Sequence, residues 1–279
     1  MNALHTLIFG RKYFTFEAEY QAVLDRASFL GYTLPDLTQN IINNNIIKNF
    51  KNEGLWSKFD VFYYTKQTGS LANFCKLNWI NPNLYELTQS NPSLVPDFVS
   101  GIGYKAGSGK FWRTNFIPST DSVNTSQTNA CIMFKMFDIP STYVSQSRFF
   151  GTRNGNDAGQ ISFQNVVNAS MTIRLYTTTF EATGSALTQL EMNENFIVNK
   201  NGILSNNLKF YKNGIFTSQT RSSATNALPI YDLCLLGINS GGTVSASTNA
   251  CGISYFGLLS ASHSLGKELI INQIINNTY

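Results

Sequence analysis

The chain has 279 residues, 43% hydrophobic and only 13% charged, with a formal net charge of +4. That length accommodates one large β-sandwich with an appendage, or two small domains, and it can bury a full core. The positive charge is spread without a basic run, which argues against nucleic-acid binding. Polarity comes from Asn, Ser and Thr, with 32 asparagines, so the surface suits sugars or other subunits better than a polyanion.

Met1 to Tyr13 is a short mixed arm followed closely by Phe14 and Phe16. Glu17 to Leu30 has the loose helical period of Ala18, Ala22, Leu24, Ala27 and Leu30, and Gly31 supplies a helix stop. Asp36 is placed to cap a second helix, whose apolar face is Leu37, Ile41, Ile42, Ile46, Ile47 and Phe50, and Gly54 ends it. The Asn43-Asn44-Asn45 run inside it is a poor helix former. Two such helices are too short to make a core alone. Their apolar faces must be buried by the rest of the chain or by neighbouring subunits. A jelly roll fills its own core from two facing sheets. The sequence therefore favours neighbours, with Phe14, Phe16, Leu24, Ile41, Ile46 and Phe50 as oligomer or docking residues.

Leu55 to Tyr64 begins the sheet-forming part, and from residue 95 the pattern is all-β. Ala130 to Phe137 and Ser170 to Thr177 alternate apolar and polar residues as half-buried strands do. Polar turn clusters at 119–128, 153–157, 183–185 and 199–202 separate the strands, the spacing of a sandwich. Leu208 to Phe216 alternates across Asn213-Gly214, a strong hairpin signal because both residues tolerate φ > 0. Leu233 to Gly237 and Gly252 to Leu259 follow as strands. Ser264 then caps a closing helix from Leu265 to Asn276.

This ending, strand, YKNG turn, strand, LLG strand, ISYFGLL strand and short helix, resembles the end of the concanavalin A-like (laminin G-like) jelly roll. A second set carries a second resemblance: Tyr20, Leu24, Ala27, Gly31 to Pro35, Gly54-Leu55-Trp56, Phe59 to Phe62 and Asn78 to Pro82. It is similar to a group of bacteriophage structural proteins in which a helical N-terminal segment leads into a concanavalin-like domain. It continues through Gly101-Ile102-Gly103 and Thr114 to Ser119. Phe59 stands where that pattern has Leu, and Ile80-Asn81 where it has Lys and Asn. The resemblance implies a mainly β protein. Residues 1–54 would be an arm and helical docking or oligomerisation segment, and residues 55–279 the concanavalin A-like sandwich.

The candidate chemistry is sparse. Gly103 to Lys110 looks like a phosphate loop, but Tyr104 stands where its first Gly belongs and Phe111 replaces the Ser or Thr. It reads as a strand-to-strand turn. A glycoside hydrolase needs two carboxylates facing one sugar bond. Glu191 and Glu194, three apart, would sit on opposite strand faces, and Glu181 and Asp157 are isolated. His5 and His263, the only histidines, lie near opposite ends of the chain. Asn154, Asn156 and Asp157 could hold at most a weak Ca²⁺, and a plain turn is the simpler reading. No catalytic residue, metal or cofactor is assigned. Trp56 and Trp79 lie in apolar motifs and belong to the core. Trp112, between Lys110 and Arg113, is the candidate sugar-stacking residue, with Arg113, Asn154, Asn156 and Asp157 as glycan-binding partners.

Cys75, Cys131, Cys234 and Cys251 sit in apolar stretches without C-x-x-C spacing, the pattern of buried free thiols made in a reducing cytoplasm. No apolar run approaches a membrane span of ~20 residues, and no signal peptide is visible. Sequons at Asn124, Asn168 and Asn276 are expected by chance at this Asn content. These readings converge on a non-enzymatic virion structural protein assembled in the host cytoplasm, as a head fibre, decoration or tail-associated module. Its expected partners are copies of itself (most simply a trimer), other virion proteins and a host-surface glycan, with no nucleic acid and no membrane insertion. The alternatives are a dedicated carbohydrate-binding lectin domain and a polysaccharide depolymerase.

Overall fold

The computed structural model describes residues 7–9, 12–107, 109–138, 148–154, 158–167, 170–177, 181–182, 194–201, 208–220, 227–247, 251–261 and 266–276. Among these the protein is mainly β, a sandwich of two sheets with helices at the N- and C-terminal ends. One sheet runs in the order Ile215–Thr220, Leu208–Lys212, Asn195–Asn201, Asn129–Phe137, Cys251–Leu259, Gly103–Ala106 and Asp97–Val99, and Phe59–Tyr64 also pairs with Cys251–Leu259. The other runs Glu181–Ala182, Ser170–Thr177, Ala158–Val167, Arg148–Asn154, Cys234–Leu235 and Trp112–Arg113, with Gly237–Ser240 and Thr243–Ala246 attached. We call them the inner and outer sheets.

The inner sheet is buried on both faces. Its strand Phe59–Tyr64 is buried at every position, as is Cys251–Leu259, which is the signature of a strand covered on two sides. On one side the outer sheet faces it: Phe134 lies 4.9 Å from Phe150 and 5.0 Å from Phe163, and Phe256 lies 5.1 Å from Phe150, ring to ring. Lys200 spans the same gap, its buried ammonium donating to the carbonyls of Leu175 at 3.1 Å and Tyr176 at 3.0 Å. On the other side lie the helices. The strand Asn129–Phe137, read from sequence as half-buried, is therefore buried along almost its whole length.

The helices form where their caps permit. Helix α1 (Ala18–Phe29) ends at Gly31, whose φ of +69° a side chain would strain. Helix α2 (Leu37–Asn52) begins at Asp36, whose carboxylate accepts the Gln39 N–H at 2.8 Å, and is followed by Gly54 at φ +67°. The asparagines that weaken α2 by propensity bind it to its neighbours. Asn43 donates to Gln67 at 2.9 Å and to the Tyr20 hydroxyl at 3.1 Å, Tyr20 donates to Asn40 at 2.6 Å, and Asn44 accepts the Glu17 N–H at 2.7 Å. Helix α3 (Glu268–Asn276) lies over the inner sheet, where Asn199 donates to Glu268 at 2.6 Å and Asn195 to Asn272 at 2.7 Å. Residues 262–265, including the expected cap Ser264, lie outside the described residues.

One hydrophobic core joins all three layers, from Tyr20, Val23 and Ile46 through Phe62 and Trp79 to Phe134, Phe163 and Ile274. This corrects the docking assignment of the helix faces. Leu24, Ile46 and Phe50 are buried within their own chain. Phe16 packs edge-on to Tyr20 at 5.4 Å, and Ile41 is half-buried. Phe14 lies in the strand Lys12–Phe14, paired with Leu7. Gly103–Ala106, expected as a turn, is a strand, with Gly103 tucked against the Ile253 carbonyl where a Cβ would meet it at 2.2 Å.

Candidate functional site

The sequence placed a sugar site around Trp112, and the structure moves it. Trp112 is 4% exposed and its ring meets Tyr104 edge-on at 5.2 Å between the sheets, so it cannot stack on a sugar. The cause is the pairing of Trp112–Arg113 with Cys234–Leu235, which turns the indole inward and the neighbouring residue outward. Arg113 is held by Asp232 at 2.7 Å, and the same carboxylate oxygen accepts from Asn239 at 2.6 Å. Asp232 Oδ2, Asn239 Oδ1 and Trp112 Nε1 are buried without a hydrogen-bond partner, so this corner of the sandwich retains two acceptors and one donor.

Asn154 is occupied as well. It donates to the Leu228 carbonyl at 3.2 Å and accepts the Ile230 N–H at 2.7 Å, which fastens the strand end to the segment beside it. Asn156 and Asp157, the other proposed glycan ligands, lie outside the described residues, as do His5, His263 and Glu191. Glu194 is engaged by Asn213 at 2.9 Å and Lys212 at 3.7 Å. All four cysteines are free and buried, as the sequence suggested. Burial raises the thiols of Cys75 and Cys234 well above their ordinary value and that of Cys251 to about 12, so none of these three is poised as a nucleophile.

The three layers make the two sides of the sandwich unlike. Helices occupy the far side of the inner sheet, and the outward face of the outer sheet lies on the opposite side of the molecule. Ile161, Phe163, Ile173 and Leu175 of the outer sheet point into the core. The alternate positions point outward, and the register shows which side chains stand together there: Arg153 opposite Gln160, and Arg174 and Gly151 each opposite Ser162. Arg148 is opposite Gln164 at the same level. This side of the sheet is polar: Gln160, Ser162 and Arg174 are each about 1% exposed, and Arg148 and Arg153 are half-buried. Arg174 donates to Gln160, and Arg153 to Ser240 at 2.7 Å.

Sequence reasoning missed this group because its members come from three strands with no local spacing between them. The available signal was the alternation itself. Gln160, Ser162 and Gln164 interleave with Ile161 and Phe163, as Thr172 and Arg174 do with Ile173 and Leu175.

The two packed sheets define a β-sandwich. No family model matches the chain, and no curated protein matches it. Among solved structures it is similar to a mutant of HCR/D, with 12% identity over 78% of this chain and 52% of that one, at a TM-score of 0.52. It is also similar to Trypanosoma rangeli sialidase in complex with sialic acid, with 12% identity over 83% of this chain and 39% of that one, at a TM-score of 0.51. A third similar structure, the binding domain of botulinum neurotoxin serotype D, has 12% identity over 78% of this chain and 52% of that one, at a TM-score of 0.48. The chain thus spans about half the length of the first of these structures, or less. The likeness is one of fold.

Proposed function

We propose that this chain is a non-enzymatic, lectin-like binding module of a bacteriophage virion, carried as a head fibre, decoration or tail-associated component and attaching to a host-surface glycan. The observation that carries the binding role is the asymmetry of the sandwich. Its helices cover one side, and on the other side Arg148 and Arg153 stand half-exposed beside the nearly covered polar groups Gln160, Ser162 and Arg174. Sugars are recognised by such convergent hydrogen-bonding groups on a rigid scaffold. The structural neighbours support the same reading at the level of fold, and one of them is a sialidase in complex with sialic acid.

The virion setting rests on the sequence pattern from Tyr20 to Pro82 and on the low charge of the chain. Self-association, most simply as a trimer, belongs to the same reading. Because Leu24, Ile46 and Phe50 are buried in their own chain, its contacts would use other surfaces. A purely structural role competes with the binding role, and a glycan array with the purified protein decides between them. The proposal expects specific binding to at least one glycan class. A blank array, with labelled protein still incorporated into whole particles, would leave a structural component that binds no sugar.

A further inference from the structure

Three consecutive residues beside the outer sheet are pinned in place. The Ile230 N–H donates to Asn154 at 2.7 Å, the Tyr231 carbonyl accepts the Thr152 hydroxyl at 2.8 Å, and the Asp232 carboxylate holds Arg113 at 2.7 Å and Asn239 at 2.6 Å. The middle residue, Tyr231, is half-exposed, and among the described residues its hydroxyl has no hydrogen-bond partner. Against its ring lies the turn Gly241-Gly242, which joins strands Gly237–Ser240 and Thr243–Ala246. Both glycines are exposed, at φ +61° and +90°. A Cβ on Gly242 would come within 3.6 Å of the Tyr231 Cε1, and one on Gly241 would meet nothing within 4 Å. Bare backbone and open space therefore adjoin the ring. Arg113 reaches the same turn, donating to the Gly242 carbonyl at 3.5 Å, and Arg153 donates to Ser240 at its entry at 2.7 Å.

We propose that Tyr231 is the stacking platform of a sugar site and that it takes a neutral pyranose, whose C–H face lies on the ring and whose hydroxyls meet Arg113 and the Gly241-Gly242 backbone. A pyranose has an apolar C–H face rimmed by hydroxyls. Its counterpart is a flat aromatic ring with polar groups set beside it. Anchoring of residues 230–232 orders the ring before any ligand arrives, which removes part of the cost of binding. The neutral class follows from charge. Arg113 already has its counter-ion in Asp232, and an acidic sugar would bring a second carboxylate next to that one. The inference rests on the lectin-like reading and deepens it, supplying the aromatic residue that the burial of Trp112 removed from the site. Because Tyr231 is bonded to Thr152, the platform borders strand Arg148–Asn154 and extends the polar side of the same sheet.

The test uses the full chain and a panel of neutral oligosaccharides (glucan, galactan and mannan fragments) beside acidic ones (oligogalacturonate and oligosialate), with affinity read by calorimetry. At least one neutral oligosaccharide should bind. Tyr231→Phe, which keeps the ring, should hold that affinity within about twofold, and Tyr231→Ala should weaken it at least about tenfold, the scale of one aromatic contact. Nitration of the parent protein by tetranitromethane, mapped by peptide mass, gives a reading that a variant's folding cannot confuse. The neutral oligosaccharide at about ten times its Kd should slow modification of Tyr231 about tenfold, since only the free fraction reacts. Unchanged affinity in Tyr231→Ala, or unchanged nitration of Tyr231 under saturating ligand, would overturn the platform and leave the lectin-like reading standing. Binding of acidic oligosaccharides alone would overturn the neutral class. Failure of every oligosaccharide to bind would overturn both this inference and the lectin-like reading.

Discussion

Phe50 of helix α2 meets Phe62 of the inner sheet edge to face, with ring centres 5.8 Å apart, and neither side chain is exposed. The N-terminal helices are therefore a layer of the same core as the sandwich. Deleting residues 1–54 would strip cover from Phe62, Tyr64 and Trp79 and break the buried bonds between Asn43 and Gln67. The truncated chain is expected to aggregate or expose apolar surface to a hydrophobic dye. A folded, monomeric 55–279 fragment in light scattering and circular dichroism would show that the sandwich is independent. The point version is Phe50→Ala, expected to cost about 3–5 kcal/mol in denaturant unfolding.

Asp60 organises a loop more than sixty residues further along the chain. Its carboxylate accepts the backbone N–H groups of Val123, Asn124 and Thr125 at 3.0, 2.8 and 3.0 Å, and the Thr125 hydroxyl at 2.7 Å. Asp60→Asn replaces one acceptor oxygen by an amide that faces N–H donors. We expect a loss of about 3 kcal/mol, on the scale of hydrogen bonds to a charged group, read as a shift of the denaturation midpoint. A midpoint within error of the parent would show that the loop is held by other means.

The hairpin at Asn213-Gly214 shows what the sequence could disclose. Its two φ values, +51° and +80°, are those that the dipeptide was read to require. What the sequence did not disclose is the partner of that turn. A Cβ on Gly214 would lie 2.4 Å from the Leu269 backbone, so the hairpin tip docks on helix α3. Gly214→Ala is therefore expected to destabilise by more than the roughly 1 kcal/mol of strain at a positive φ, since the helix must also move. Thermal unfolding checks this, and a loss below that figure would mean the contact is loose.

The same division holds elsewhere. Asp36, Gly31 and Gly54 were legible as helix boundaries because capping chemistry is local. The burial of Trp112 and the gathering of Arg148, Arg153 and Arg174 were not, because strand register decides both and register is a property of distant pairings. The helices' burial partner was misread for a related reason. A sheet covered on both faces and a sheet covered on one differ in whether strands alternate. Strands such as Cys251–Leu259, apolar at all but Ser254, were the sign that a further layer was needed.

Alkaline stability follows from the buried thiols and phenols. Burial raises Cys251 to about 12 and holds Tyr63, Tyr104 and Tyr255 well above their ordinary value. Unfolded, these groups ionise near about 8.5 and 10. Raised folded values mean that stability is fully present below the unfolded values and is lost as pH climbs toward the folded ones. The unfolding midpoint should be flat up to about pH 8.5 and then fall steadily, with the phenolate absorbance of the buried tyrosines appearing together with unfolding. Full phenolate signal from all 13 tyrosines of the still-folded protein near pH 10 would contradict it. Alkylation should label almost no thiol natively and all four after denaturation without reductant.

The central claim is that the outward face of the outer sheet is the binding face. Hydrogen–deuterium exchange on the full chain, with and without a glycan found to bind on an array, tests it most directly. The account predicts added protection in Arg148–Asn154, Ala158–Val167 and Ser170–Thr177, with helices α1 and α2 unchanged. Protection confined to the Trp112–Arg113 edge or to the helices, with these three strands unchanged, would place the binding face elsewhere.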